Sequence, residues 1–381
     1  MQSPNRKYIA ELDQLRACAA LLVFLYHTIH TGRASAGLVD WPTATPFSAI
    51  LVEGHTGVAL FMVLSGFVLA SGVLGRSLDY RQFITNRTLR IFPLMVFVVV
   101  FAIYGNTNVT LSGIVSPFLL LSNTTPRLFT DVTNISGTVW TIAVEFQFYL
   151  IAPFVFAFVS RGGMRYLLGL MLLTWLCKFL VIVLHADPIE RYTIGYYTIV
   201  GRLNQFLIGV GLAYIWPRLE AKIGQDRRIG WGLLIAGVVA VASLAFVINL
   251  GGGDRVWKRW MYLRQDAEAL TWAAVIAGYV LVRPFGRSKA ATWLTNAGVI
   301  SFSIYIFHWP LEQLFWQAIQ MAGWVPAVPS TPILLGYAAA LLPIVLAVAW
   351  LSYAVIEKPF LDMRRRYVED SDVKGAPLQA A

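Results

Sequence analysis

Arg16 and His27 stand eleven positions apart in one apolar stretch that opens Glu11-Leu-Asp-Gln-Leu-Arg16. On a helix that separation is about 16 Å, close to three turns, so the two side chains share roughly one face. An imidazole can take a proton from a weakly acidic hydroxyl near neutral pH, and a guanidinium can hold or offset negative charge. A charged group inside a membrane span costs roughly 2.5–3.5 kcal/mol on insertion scales, so each one present needs a reason. That reason can also be structural, with Arg16 paired to Glu11 or Asp13 and His27 closing the helix.

Three further groups invite the same question. Gly137-Thr-Val-Trp140 leads into Glu145, Gln147 and Tyr149, all within another apolar run. Glu145 falls about 12 Å along that helix. A carboxylate at such depth seeks a cation or a wet cavity. Either an ion pair with Arg16 or Arg202, or a role in positioning a reactant, would satisfy it. Trp140 and Tyr149 are candidate substrate contacts on the same helix.

Farther on, Ser301-Phe-Ser303-Ile-Tyr305-Ile-Phe-His308-Trp-Pro310-Leu-Glu312 sets His308 and Glu312 four apart, facing one way although Pro310 perturbs the turn between them. A proline break at membrane depth can free backbone groups to line a cavity. His308 is then a substrate contact or, equally, an interhelical hydrogen-bonding group. Lys178 has no such companions and reads as a structural partner. Finally, Arg87 and Arg90 lie three apart at a helix start. Paired guanidinium forks there suit phosphate, either of a nucleotide or of lipid headgroups.

The elements that must hold these groups follow from composition. Of 381 residues, 57% are hydrophobic and 13% charged, against about 25% charged in a soluble domain. One globular core cannot hide so much apolar surface, which excludes a soluble enzyme, a fibrous protein and a disordered chain. Stretches of about 20 apolar residues occur near 12–30, 57–75, 89–105, 137–159, 166–184, 194–216, 230–250, 267–283, 294–321 and 332–355. The expected fold is an all-α integral membrane protein of about ten transmembrane helices. Leu111–Leu121 is too short to cross and reads as re-entrant or surface-lying. The first stretch lacks a small-residue cleavage site and reads as a span, not a leader.

With a cytoplasmic N-terminus and alternating spans, 20 of the 30 basic residues fall on the cytoplasmic side and seven outside. That bias obeys the positive-inside rule with both termini in the cytoplasm. It also accounts for the net charge of +10 without nucleic acid. Cys18 and Cys177 supply neither a disulfide framework nor a metal set, and no metal is expected. The organisation is one membrane domain, residues 1–366, with a disordered cytoplasmic tail, 367–381.

The combined pattern resembles the bacterial membrane-bound acyltransferase family 3, whose members O-acylate sugars and some small molecules. The resemblance runs from Leu12 to about Arg366. It rests on Leu12-Asp-Gln-Leu-Arg16 with His27, Phe61-Met-Val-Leu-Ser-Gly-Phe67, Arg87-Thr-Leu-Arg90, Trp140 with Glu145-Phe-Gln-Phe-Tyr149, Ser303-Ile-Tyr305 with His308-Trp-Pro310, and Glu357-Lys-Pro359. This chain departs from the pattern at Gln14, where the family often has Gly, and at Phe146, where it commonly has a second Glu. Larger members carry a C-terminal esterase-like domain. Here the chain ends soon after the last span, so acceptor specificity is expected in the membrane unit or in partner proteins.

The resemblance implies a bacterial inner-membrane O-acetyltransferase, with acetyl-CoA (acyl-CoA) as donor and a hydroxyl on an external or cell-surface glycan as acceptor. Membrane lipid and glycan-biosynthesis proteins are the implied partners. Arg87 and Arg90 would hold the donor phosphates and Arg16 would aid donor placement. His27 would act as general base or carry the acyl group transiently, and Glu145 would orient the imidazole or bind sugar. His308, Trp140 and Tyr149 would contact substrate. A hydrated path from the arginines to His27 is the central expectation. Two other readings stay open: an acyltransferase acting on a small molecule such as an antibiotic, and an exporter of a glycan or lipid-linked substrate, which should show an internal repeat absent here.

Overall fold

The computed structural model describes residues 8–38, 40–105, 137–185, 187–223, 226–253 and 262–368. Among them every regular element is helical, apart from an isolated bridge between Leu78 and Val368. In chain order these are α1 (Ala10–Ser35), α2 (Ala49–Val52), α3 (Gly57–Val73), α4 (Tyr80–Gly105), α5 (Val139–Leu184), α6 (Pro188–Tyr197) and α7 (Ile199–Ile223). There follow α8 (Arg227–Leu250), α9 (Arg264–Val282), α10 (Lys289–Val299), α11 (Ser301–Met321), α12 (Thr331–Ser352) and α13 (Lys358–Asp362). A 3₁₀ turn, Gly54–Thr56, leads into α3, and a π turn, Tyr353–Glu357, joins α12 to α13.

Among the described residues seven helices are long and apolar enough to cross a membrane, or eight if the pair α10 and α11, bent by 72°, is one span. The sequence reading has ten; it takes the bent pair as one span, and two further elements account for the step from eight to ten. It divides α5 in two, and α5 is indeed broken at Gly163, whose φ of 63° and ψ of −156° leave the helical region. A left-handed φ at a break is where glycine belongs. It also treats α9 as a span, whereas the first five residues of α9 include Arg264, Asp266 and Glu268. The stretch 111–121 and the tail beyond Val368 lie outside the described residues. Tyr367 and Val368 themselves are buried, so ordered packing continues into the segment expected to be a tail.

Helix α1 is the axle of the bundle, touching α3, α10, α11 and α12. It buries polar as well as apolar side chains. Gln14 accounts for one departure from the family pattern. Its amide donates to the Thr295 hydroxyl at 3.1 Å and accepts from the Tyr279 hydroxyl at 2.8 Å, tying α1 to α9 and α10. Phe146, the other departure, packs its ring 5.5 Å from Phe92, where a carboxylate would be stranded.

A close crossing joins α3 to α7. A Cβ built on Gly66 would fall well inside van der Waals contact with the Phe206 carbonyl oxygen. The helices therefore meet main chain to main chain, as small residues permit in membranes. Gly66→Ala is expected to destabilise by about 1–3 kcal/mol through overpacking, read as a lower melting temperature in detergent. An unchanged melting temperature would mean the crossing relaxes freely.

Candidate active site

A cavity opens among α1, α3, α4, α5, α7 and α11. Its polar lining includes Arg16, Ser65, Arg90, Glu145 and Tyr305, with Phe61 among the apolar residues. Glu145 accepts hydrogen bonds from Ser65 at 2.6 Å and from Tyr149. It makes no ion pair with Arg16 or Arg202 among the described residues. Arg16 bridges to Asp13 at 2.7 Å, the structural partner its spacing allowed, while still facing the cavity. Asp13 also accepts from Tyr8 at 2.9 Å.

The Arg87–Arg90 pair is divided. Arg90 lines the cavity and feels the charges of Glu145 and Glu357. Arg87 is 8% exposed and stands within 6.0 Å of the ring centres of Phe83, Tyr149 and Tyr367. Glu357, at the end of the π turn, accepts from Ser303 of α11. π turns of this kind recur at functional sites.

The imidazoles form a second centre. The His27 ring is half-buried, 5.3 Å from His308 and 4.6 Å from Trp309. His308 is fully buried, and its Nδ1 donates to the Ile304 carbonyl at 3.1 Å. Its Nε2 has no hydrogen-bond partner. Glu312 is held through one oxygen by Thr28 at 3.0 Å. Neither histidine lines the arginine cavity. Tyr305 stands between, lining that cavity and lying 5.8 Å from the His308 ring. The path expected to run openly from guanidinium to imidazole is thus interrupted by one layer, formed by Tyr305 and Phe61, whose rings are 5.7 Å apart.

Sequence reasoning missed a buried charge network beside this site. Glu53 and His55 precede α3, between two apolar stretches, and the N-terminal end of α9 supplies Arg264 and Glu268. His55 meets Glu53 at 3.1 Å, and Arg264 meets Glu268 at 3.2 Å. Arg202 lies 4.0 Å from Glu268 and stacks 4.2 Å from the Tyr196 ring. Trp140, a candidate substrate contact, packs 5.5 Å from Arg202 and 4.9 Å from Tyr197. Lys178 is structural, its ammonium bonded to Gln265 at 2.9 Å. The i, i+4 spacing of Arg264 and Glu268 was the available signal.

Burial opposes ionisation of Glu53. Hydrogen bonds from His55, Asn249 and Trp41 nevertheless hold its carboxyl below the ordinary 4.5. A lowered folded-state value gives stability that is present above the unfolded value and lost as pH falls through the folded one. Melting temperature is therefore expected to drop on acidification below 4.5, and Glu53→Gln to flatten part of that fall. Parallel pH profiles for the two proteins would exclude Glu53 as a contributor.

Fold and site together define a multi-pass membrane protein with a polar, arginine-lined chamber inside its helix bundle. Residues 9–354 match the acyltransferase domain of family 3, and the chain belongs to that family. O-acetyltransferase OatA of Staphylococcus aureus (strain NCTC 8325 / PS 47) is 25% identical over 355 residues, covering 86% of this chain and 54% of that protein. Peptidoglycan O-acetyltransferase OatA of Listeria monocytogenes is 25% identical over 345 residues, covering 81% and 50%. A Komagataeibacter xylinus protein named as a membrane-bound transacylase, BcsY, is 23% identical over 401 residues, covering 97% and 88%. The chain thus spans about half the length of the OatA relatives. No solved structure matches it.

Proposed function

We propose that the protein is a membrane O-acyltransferase that moves an acyl group, acetyl in the simplest case, from cytoplasmic acyl-coenzyme A to a hydroxyl of a carbohydrate outside the cytoplasm. The observation that carries this reading is the arginine-lined cavity at membrane depth, one aromatic layer from a pair of histidines. Family membership supports transfer over export, and the relatives' names support a cell-envelope glycan as acceptor. The excess of basic residues on the side of the N-terminus supports a bacterial cytoplasmic membrane with both termini inside.

In this reading Arg90 receives the donor's phosphates and its acyl-bearing arm extends along the cavity past Arg16, Ser65 and Glu145. The acceptor oxygen bonds to the acyl carbon as the carbon–sulfur bond breaks. His27 takes the hydroxyl proton and gives it up to the departing sulfur, so that coenzyme A leaves as the thiol. His308, with its Nδ1 proton committed to Ile304, keeps Nε2 as an acceptor beside His27. Tyr305 and Phe61 must move aside for donor and acceptor to meet, or His27 must carry the acyl group across that layer. No metal is invoked.

The test is incubation of the full chain in phosphatidylcholine nanodiscs with labelled acetyl-CoA and an envelope glycan fraction. Label should enter the glycan. Unlabelled glycan crossing vesicles unmodified would favour the exporter, and label on a small cytoplasmic acceptor would favour the antibiotic-type reading.

A further inference from the structure

We propose that Arg364, on the segment following the last span, completes a three-arginine phosphate site with Arg87 and Arg90, and that this site takes a clustered-phosphate group such as the nucleotide end of a coenzyme A thioester. The inference rests on the donor reading above and adds a residue from the opposite end of the chain.

The geometry starts with how residues 364–368 are tied down. The Asn86 side chain donates to the Arg365 carbonyl at 2.6 Å and accepts from its amide at 3.2 Å. The Asp79 amide donates to the Tyr367 carbonyl at 2.9 Å. The Tyr367 ring packs 5.2 Å from Phe83 and closes one side of the cage around Arg87. Val368 bridges Leu78. The segment is therefore strapped across the start of α4, where Arg87 and Arg90 sit.

Within the strap, Arg364 is half-buried and its Nε donates to the Leu361 carbonyl at 2.8 Å. That bond spends one donor and leaves the two terminal nitrogens, the fork that suits an oxyanion. Burial, and then the charges of Arg90 and Arg87, bring its guanidinium down to about 10. Arg364 thus feels the other two cations, as the attachment of its neighbour Arg365 to Asn86, one residue before Arg87, requires. None has a carboxylate within 4.0 Å among the described residues. Arg87 also keeps a buried Nε without a hydrogen-bond partner. Surface arginines that merely obey the positive-inside rule can spread apart in water. Here a folded strap carries Arg364 to the helix that bears Arg87 and Arg90, an arrangement that costs free energy unless a multivalent anion offsets it.

A lipid headgroup and a free nucleotide share this phosphate chemistry, so the test separates them. Binding of coenzyme A to the full chain is measured by calorimetry in phosphatidylcholine nanodiscs, for wild type, Arg364→Gln, Arg364→Lys and the exposed control Arg365→Gln. Arg364→Gln is expected to weaken binding about tenfold, the loss of one charge-assisted contact. Arg364→Lys should recover part of it, and Arg365→Gln should match wild type. Equal affinity for wild type and Arg364→Gln overturns the proposal and leaves the donor reading standing. A melting temperature that falls in Arg364→Gln while affinity holds does the same, by making Arg364 structural.

If wild type binds no coenzyme A, the donor reading fails on its own. The three-arginine site then survives only if phosphatidylglycerol nanodiscs raise the melting temperature of wild type and not of Arg364→Gln.

Discussion

His27→Ala is expected to lower acyl transfer by about 10²–10⁴-fold, the usual contribution of a positioned general base. The folded protein should survive, because the half-exposed ring makes edge and tilted contacts with Tyr26, His308 and Trp309 rather than filling the core. Rates are compared on nanodisc-embedded protein of matched melting temperature, with labelled acetyl-CoA as donor. His308→Ala is the companion. Its ring is fully buried, so that variant should lose both rate and stability, and only His27→Ala should separate the two. Full activity in His27→Ala would remove the imidazole from the chemistry and direct attention to Glu145 and Tyr149.

The second large effect concerns Arg90, the member of the arginine pair that lines the cavity. Arg90→Lys keeps the charge and loses the planar fork. The KM for acetyl-CoA should rise about tenfold or more, with kcat changing less, since forked phosphate contacts are worth about 1.5–3 kcal/mol each. The same change at Arg87 removes a flat group from among three aromatic rings, so it should lower the melting temperature as well. An unchanged donor KM in both variants would return these arginines to the lipid headgroups.

The sequence made the membrane class plain because apolar content and basic-residue bias are properties of the whole chain. Individual chemical groups were legible where a charge interrupts an apolar run, as at Arg16, Glu145 and His308. What the spacing of residues could not carry was which groups face each other. Arg87 and Arg90, three apart, end in different surroundings because the rings of Phe83, Tyr149 and Tyr367 come from three separate segments. Nothing near Trp140 in sequence signals that Arg202 lies against it. Glu53 and His55 escaped notice because they stand at a span's edge, where polar residues are unremarkable. Their partners, Arg264 and Glu268, are some two hundred positions away. Tyr305 was visible only as part of a motif. Its place beside both polar centres depends on how α11 packs against α1, which no local pattern encodes.

The α3–α7 contact has a consequence for Ser65, the residue just before Gly66. Where two helices are spaced by side chains, a change of rotamer can slide one along the other by a fraction of an ångström. Here carbonyl meets α-carbon with nothing adjustable in between, so the hydroxyl that greets Glu145 inherits its coordinates from the main chain itself. Drift elsewhere in the bundle can then be absorbed without detuning that bond, while any side chain grafted onto the crossing would misalign it at once.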